Sequence, residues 1–168
     1  LQVYFIDNEE YFKRKQYYFD DEGKAFDDND ERAVFFARGV IETIKKLNWV
    51  PDVIHFNGWM ASFIPIYLKN YYKNDYYFSN TKLVLSVYNE QNADLSTNIE
   101  EILKFDNITG LKALEKPSFQ SFVIESMNAV DVVVKGDEFL EGDLDEAYEK
   151  TKAEKADFVE SGSIEKVY

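Results

Sequence analysis

Three short apolar runs, Val53-Ile54-His55-Phe56, KLVLSVY (82–88) and AVDVVV (129–134), are separated by segments of helical character. That alternation constrains the fold more than any other feature. Strands spaced by helix-length segments build βα units, which close into a parallel sheet covered by helices. The clearest helix precedes the first of these runs. Ala33, Phe36, Ala37, Val40, Ile41, Ile44 and Leu47 recur at helical spacing and predict a helix over 29–47. Asp28 is placed as its N-cap, with Glu31 three residues on as in a capping box.

Pro51-Asp52 opens the 53–56 strand and Asn57-Gly58 breaks it; residues 59–73 then read as helix with a kink at Pro65. Helical patches follow near 98–104, 107–114 and 118–128. An acidic helix is expected from Asp137 to about Lys155, and a last strand over Ala156-Asp157-Phe158-Val159. At the other end, QVYFID (2–7) reads as a buried strand, and the acidic, aromatic stretch to about residue 27 as loop with a short helix. The expectation is one α/β domain over residues 1–168, Rossmann-like, with helices on both faces of a parallel sheet. A chain that starts in strand-like sequence without Met is expected to be part of something larger.

Composition narrows the chemistry. Acidic residues outnumber basic ones 32 to 19, a formal charge of -13, which argues against nucleic acid and anionic membranes as partners. No Cys is present, so thiol nucleophiles, disulfides and thiolate metal sites are excluded, and the single His55 leaves no conventional zinc site. No GxGxxG or GxxxxGK[ST] loop and no nucleophile elbow occurs. No apolar run approaches the ~20 residues of a membrane helix, and a cytoplasmic location is the default. No metal or cofactor is assigned.

In open α/β sheets ligands bind beyond the carboxyl ends of strands. Two such ends stand out, His55-Phe56-Asn57-Gly58-Trp59-Met60 and Tyr88-Asn89-Glu90. Gly58 before a helix permits close backbone approach, although Asn57 as a cap and Gly58 as a turn residue explain the pattern more simply. His55, between Ile54 and Phe56, reads as a buried, hydrogen-bonded structural residue rather than a proton shuttle. Asp27-Asp28-Asn29-Asp30-Glu31 lacks the Gly and distal Glu of a calcium loop and reads as a helix start suited to the macrodipole. The tyrosine clusters at 17–18, 71–72 and 76–77 read as edge packing and loop anchors, with stacking on sugar rings as the other reading.

Several segments in order resemble one family, the bacterial glycogen and plant starch synthases (glycosyltransferase family five). VYFIDNEEYFKR (3–14) looks like its V-Y-F-I-D-N-x-x-Y-F, and DDNDERAVFFARGVIE (27–42) its D-N-x-x-R-F-x-x-F-S-R. WVPDVIHFNGWMASFIPIYLK (49–69) is similar to its W-x-P-D-[IV]-[IV]-H-x-H-D-W-H-T-[AG]-L-x-P-x-x-L-K. KLVLSVYNE (82–90) resembles T-V-F-T-I-H-N, and SMNAVDVVVKGDEFLEGDL (126–144) resembles A-D-x-[IV]-x-x-V-S-P-x-[YF].

The resemblance implies the N-terminal, acceptor-side half of a two-domain GT-B enzyme. Such an enzyme moves glucose from ADP- or UDP-glucose to an α-1,4-glucan in glycogen or starch synthesis, with retention and without metal. It implies an α-glucan or sugar nucleotide as partner and says nothing of oligomeric state. His55, Trp59 and Pro65 keep family positions. In the H-x-H-D-W-H run, however, the second His is Asn57, the Asp is Gly58 and the last His is Met60. The His of I-H-N is Tyr88 beside a retained Asn89, and V-S-P reads Val134-Lys135-Gly136. The family's glycine-rich donor loop is expected upstream of residue 1, and its second domain is not among these residues.

The expectation is therefore a chain without catalytic residues of its own. Candidate substrate contacts are Asn57, Gly58, Trp59, Met60, Tyr88 and Asn89, with Asp28 nearby. The alternative is a non-catalytic family member that binds glucan or a protein partner.

Overall fold

The computed structural model describes residues 2–96 and 98–158. Its centre is a parallel sheet of four strands, β1 (Val53–Asn57), β2 (Lys82–Val87), β3 (Val132–Lys135) and β4 (Glu154–Ala156), in that order. The α/β architecture expected from the alternation of elements is the one observed. Phe56, Leu83, Leu85, Val87 and Val133 are buried on the sheet, whereas Val84, Val132 and Val134 are half-buried. His55 is paired in register with Val84 and bonds Ser86 Oγ at 2.8 Å. It is exposed rather than buried, because β1 is an edge strand.

Helices α1 (Glu9–Phe12) and α2 (Asn29–Lys46) precede the sheet, and α3 (Phe63–Lys69), α4 (Ile99–Phe105), α5 (Phe119–Met127) and α6 (Gly142–Lys150) follow in turn. Ala33 and Ala37, fully buried four residues apart, let α2 lie close against α3. Phe63 stacks on Phe122 with centroids 4.4 Å apart, joining α3 to α5. Each fully buried aromatic or branched side chain of this kind contributes about 1.5–3 kcal/mol. Asp106, at the end of α4, receives Arg38 Nη1 at 3.1 Å and the Tyr67 hydroxyl at 2.7 Å. This buried carboxylate fastens α2, α3 and α4 together. Burial and that carboxylate hold the Tyr67 phenol neutral well above its usual range.

Several sequence expectations are corrected. Residues 2–7 form no strand; Val3, Tyr4 and Phe5 are exposed, and only Ile6 tucks against Gly39. Asp28 makes no cap hydrogen bond and forms no capping box with Glu31; it pairs instead with both terminal nitrogens of Arg14. A two-point charged bond outcompetes a cap. Pro65 is the third residue of α3, within the first turn, where its missing N–H is one the helix leaves unpaired in any case. A 3-10 turn, Trp59–Ser62, precedes α3, which stops at Lys69 rather than 73.

The patch at 107–114 is mostly irregular, with Asn107 at φ 59° and a 3-10 turn only at Lys112–Glu115. β3 begins at Val132 rather than 129. The acidic helix shrinks to α6, and the last strand lies at Glu154–Ala156; Val159 of the expected strand is outside the described residues. Of the tyrosines, Tyr72 is buried and donates to Glu42 Oε1 at 2.7 Å, and Tyr77 donates to Asn48 at 2.8 Å, whereas Tyr17 and Tyr76 are exposed.

Candidate functional site

The carboxyl ends of β1, β2 and β3 meet at one edge of the sheet, and their side chains bond one another. Asn57 ends β1; Gly58, at φ 81° and ψ 157°, turns the chain into the 3-10 turn. Only glycine takes that backbone without strain. The Trp59 amide then donates to Glu90 Oε2 at 2.9 Å. A β-carbon at position 58 would lie 3.3 Å from Glu90 Oε1, so the bare backbone also makes room for that carboxylate. Burial pushes the Glu90 carboxyl above its ordinary value and the Asp137 charge adds to this, while the Trp59 amide opposes both.

Trp59 is 1% exposed, stacked on Phe119 at 3.8 Å and 2°, with the edge of Tyr18 5.2 Å away. Met60 is also in the core, at 8% exposure. Both belong to packing before any ligand is considered.

Tyr88 follows β2 and donates to Asn57 Oδ1 at 3.2 Å. Its ring lies so close to Gly136 that a β-carbon there would sit 2.2 Å from it. Asn89 is engaged at its backbone nitrogen and at both ends of its side-chain amide. Its amide nitrogen donates to Asp137 Oδ2 at 2.6 Å, Nδ2 donates to the Phe139 carbonyl at 2.7 Å, and Oδ1 accepts from Glu141 N at 3.0 Å. The retained Asn89 clamps the segment after β3 to the end of β2.

Asp28 stands in a separate cluster. Burial raises its carboxyl, but Arg14 more than offsets this and leaves it below the ordinary range. Arg14 lies 4.7 Å over the Phe26 ring. Next to it Arg32, only 3% exposed, donates to Asn29 Oδ1 at 2.6 Å and stacks over Phe12 and Phe26.

Of the residues expected to contact a ligand, the fold brings Trp59 and Tyr88 to one pocket, which Glu90, Gln91, Asn92, Phe119 and Gln120 also line. Asn57 reaches it through Tyr88 and Gly58 through Glu90. Met60, Asn89 and Asp28 do not line it. Glu90 belongs to the Tyr88-Asn89-Glu90 strand end read from sequence but was not among the expected substrate contacts, and Gln120 and the Tyr88–Gly136 contact were not singled out. Among the described residues no group of three or more His, Cys, Asp or Glu is arranged to hold a metal ion, and no helix is long and apolar enough to cross a membrane.

The family described as "Starch synthase catalytic domain" matches residues 1–136. A glycogen synthase of Chlorobium limicola is 42% identical over 90 residues, 53% of this chain and 18% of that protein. Those of Elusimicrobium minutum (42% over 87 residues, 52% and 18%) and Thermotoga petrophila (37% over 89 residues, 53% and 17%) match similarly. The matched stretch is thus less than a fifth of these relatives' length.

Proposed function

Because the chain belongs to the starch synthase catalytic domain family, we propose that residues 1–168 are one partial Rossmann-like domain of the GT-B type. It is the acceptor-side half of a retaining glucosyltransferase architecture that moves glucose from ADP- or UDP-glucose to an α-1,4-glucan in glycogen biosynthesis. As this chain it binds glucan and does not transfer glucose. An acidic, cysteine-free chain suits the cytoplasm.

One observation carries this reading: the strand-end groups that the resemblance assigns to substrate are engaged within the protein. Asn89 spends both ends of its amide on the segment after β3, Tyr88 bonds Asn57, and Met60 is packed in the core. Met60 also offers only a weak sulfur acceptor where the family's His would contact donor glucose. Transfer of a glycosyl group depends on preorganised donors facing the phosphates and the developing positive charge. Here the carboxylates of Glu90 and Asp137 crowd that end of the sheet instead.

The test is electrophoresis through a glycogen-containing gel, paired with incubation of the chain with glycogen and radiolabelled ADP-glucose or UDP-glucose. Retarded migration without incorporated label is expected. Incorporation would refute loss of the chemistry, and unretarded migration would refute glucan binding.

A second reading, a family member that binds a protein partner, draws on a different surface. Beside the free edge of β1, Phe36, Val40, Leu47, Trp49, Val53 and Ile54 line an apolar groove of about 370 Å³. Trp49 and Val53 on it are 54% and 55% exposed. A chain that ignores glycogen leaves this second reading standing.

A further inference from the structure

Among the described residues β1 is paired on one side only. The Asp52 carbonyl accepts from Lys82 N at 2.9 Å on the β2 side. Strand alternation then turns the N–H and C=O groups of Val53, His55 and Asn57 to the outer side. A row of such unpaired groups is a template for a further strand. The strand carries no Lys or Pro, and its register runs without a bulge, so none of these devices guards the edge.

The surface around that edge is apolar and nearly uncharged. Seven of the thirteen exposed large hydrophobic residues fall within 3–5 and 47–53, at exposures of 44–87%. Tyr4, Trp49 and Val53 among them line the apolar groove. Together the seven present on the order of 800 Å², about what each partner contributes to an interface of standard size. Asp52 is the single charged side chain within 47–58 when His55 is neutral, and residues 1–6 have none, although 30% of the chain is charged. Copies of formal charge -13 repel one another, least where such a neutral face meets its own counterpart. A strongly acidic or basic partner finds almost nothing there to pair with.

We propose that two copies of this chain associate through the outer edges of β1, antiparallel about a dyad at His55, which extends the four-stranded sheet to a continuous one across both copies. In that register His55 faces its own counterpart and Val53 faces Asn57 of the second copy. All three outward residues then form hydrogen-bonded pairs. The dyad stands perpendicular to the sheet, so the two grooves meet on the same face. The proposal names the partner of the groove and is independent of whether the strand ends bind glucan.

Sedimentation equilibrium over a concentration series, in low and high salt, reads the association. A reversible monomer–dimer equilibrium is expected, tightened by salt as the repulsion is screened. Val53→Lys, at a half-exposed position, is expected to weaken the dimer about tenfold or more. Because the chain has no Cys, His55→Cys places a single thiol at the dyad, where opposed Cα atoms lie about 5.5 Å apart, within disulfide reach. Under mild oxidation it is expected to link into a covalent dimer far faster than Phe139→Cys, an exposed position beyond β3.

A chain that stays monomeric throughout the series would overturn the proposal and give the edge to a different polypeptide segment. A dimer indifferent to Val53→Lys, or equal linking at positions 55 and 139, would also overturn it. Should Val53→Lys fail to fold, the two cysteine variants decide alone.

Discussion

At the scale of single residues, Tyr88 and Gly136 act as a pair. Each departs from the resembling family's pattern, and each departure makes sense only beside the other. The Tyr88 ring occupies the space where any side chain at 136 would begin, 2.2 Å from an ideal β-carbon. Gly136→Ala is therefore expected to destabilise the fold by about 1–3 kcal/mol, as overpacking does, measured by urea unfolding. Tyr88→Ala in the same background should return most of that loss, giving a strong coupling in the double-mutant cycle. Equal and additive losses would contradict the contact. Both departures were legible in the sequence; their contact was not, because only the parallel pairing of β2 with β3 brings the two positions together. The same holds for Glu90, whose role depends on the Trp59 amide across the β1–β2 pair.

At the scale of elements, α2 shows where pattern reading succeeds and where it stops. Its apolar stripe located the helix to within a residue, because periodicity reports the buried face directly. Its start was misread, since Arg14, from a distant and irregular segment, claims Asp28. Residues 2–7 failed for a related reason: strand-like sequence becomes strand only when a neighbour pairs with it, and here none does.

The same helix start buries Asp30 to 1% exposure, with Oδ2 unpartnered among the described residues. Burial raises its carboxyl above the ordinary 3.8, opposed by the Glu31 amide. A raised carboxyl favours the folded state when protonated, so that contribution is full below 3.8 and is lost as pH rises through the folded value. Asp30→Asn, which keeps the oxygen facing the Glu31 amide, should stabilise by about 1 kcal/mol at pH 7, with the gain shrinking as pH falls toward 4. Urea midpoints at the two pH values check this; a gain that is constant with pH would contradict the assignment.

At the scale of the whole molecule, a four-stranded parallel sheet carries one set of strand ends where ligands of α/β proteins gather. Those ends are furnished with neutral amides, aromatic faces and carboxylates in a chain of formal charge -13. The field opposes a sugar nucleotide and is indifferent to a neutral glucan. The central proposal is that this chain binds a neutral glucan at these strand ends and does not bind a sugar nucleotide there. Isothermal titration of the chain with maltoheptaose and, separately, with ADP-glucose tests it most directly. Saturable heat from maltoheptaose with none from ADP-glucose is the expected result; binding of ADP-glucose, or silence from both ligands, would contradict it.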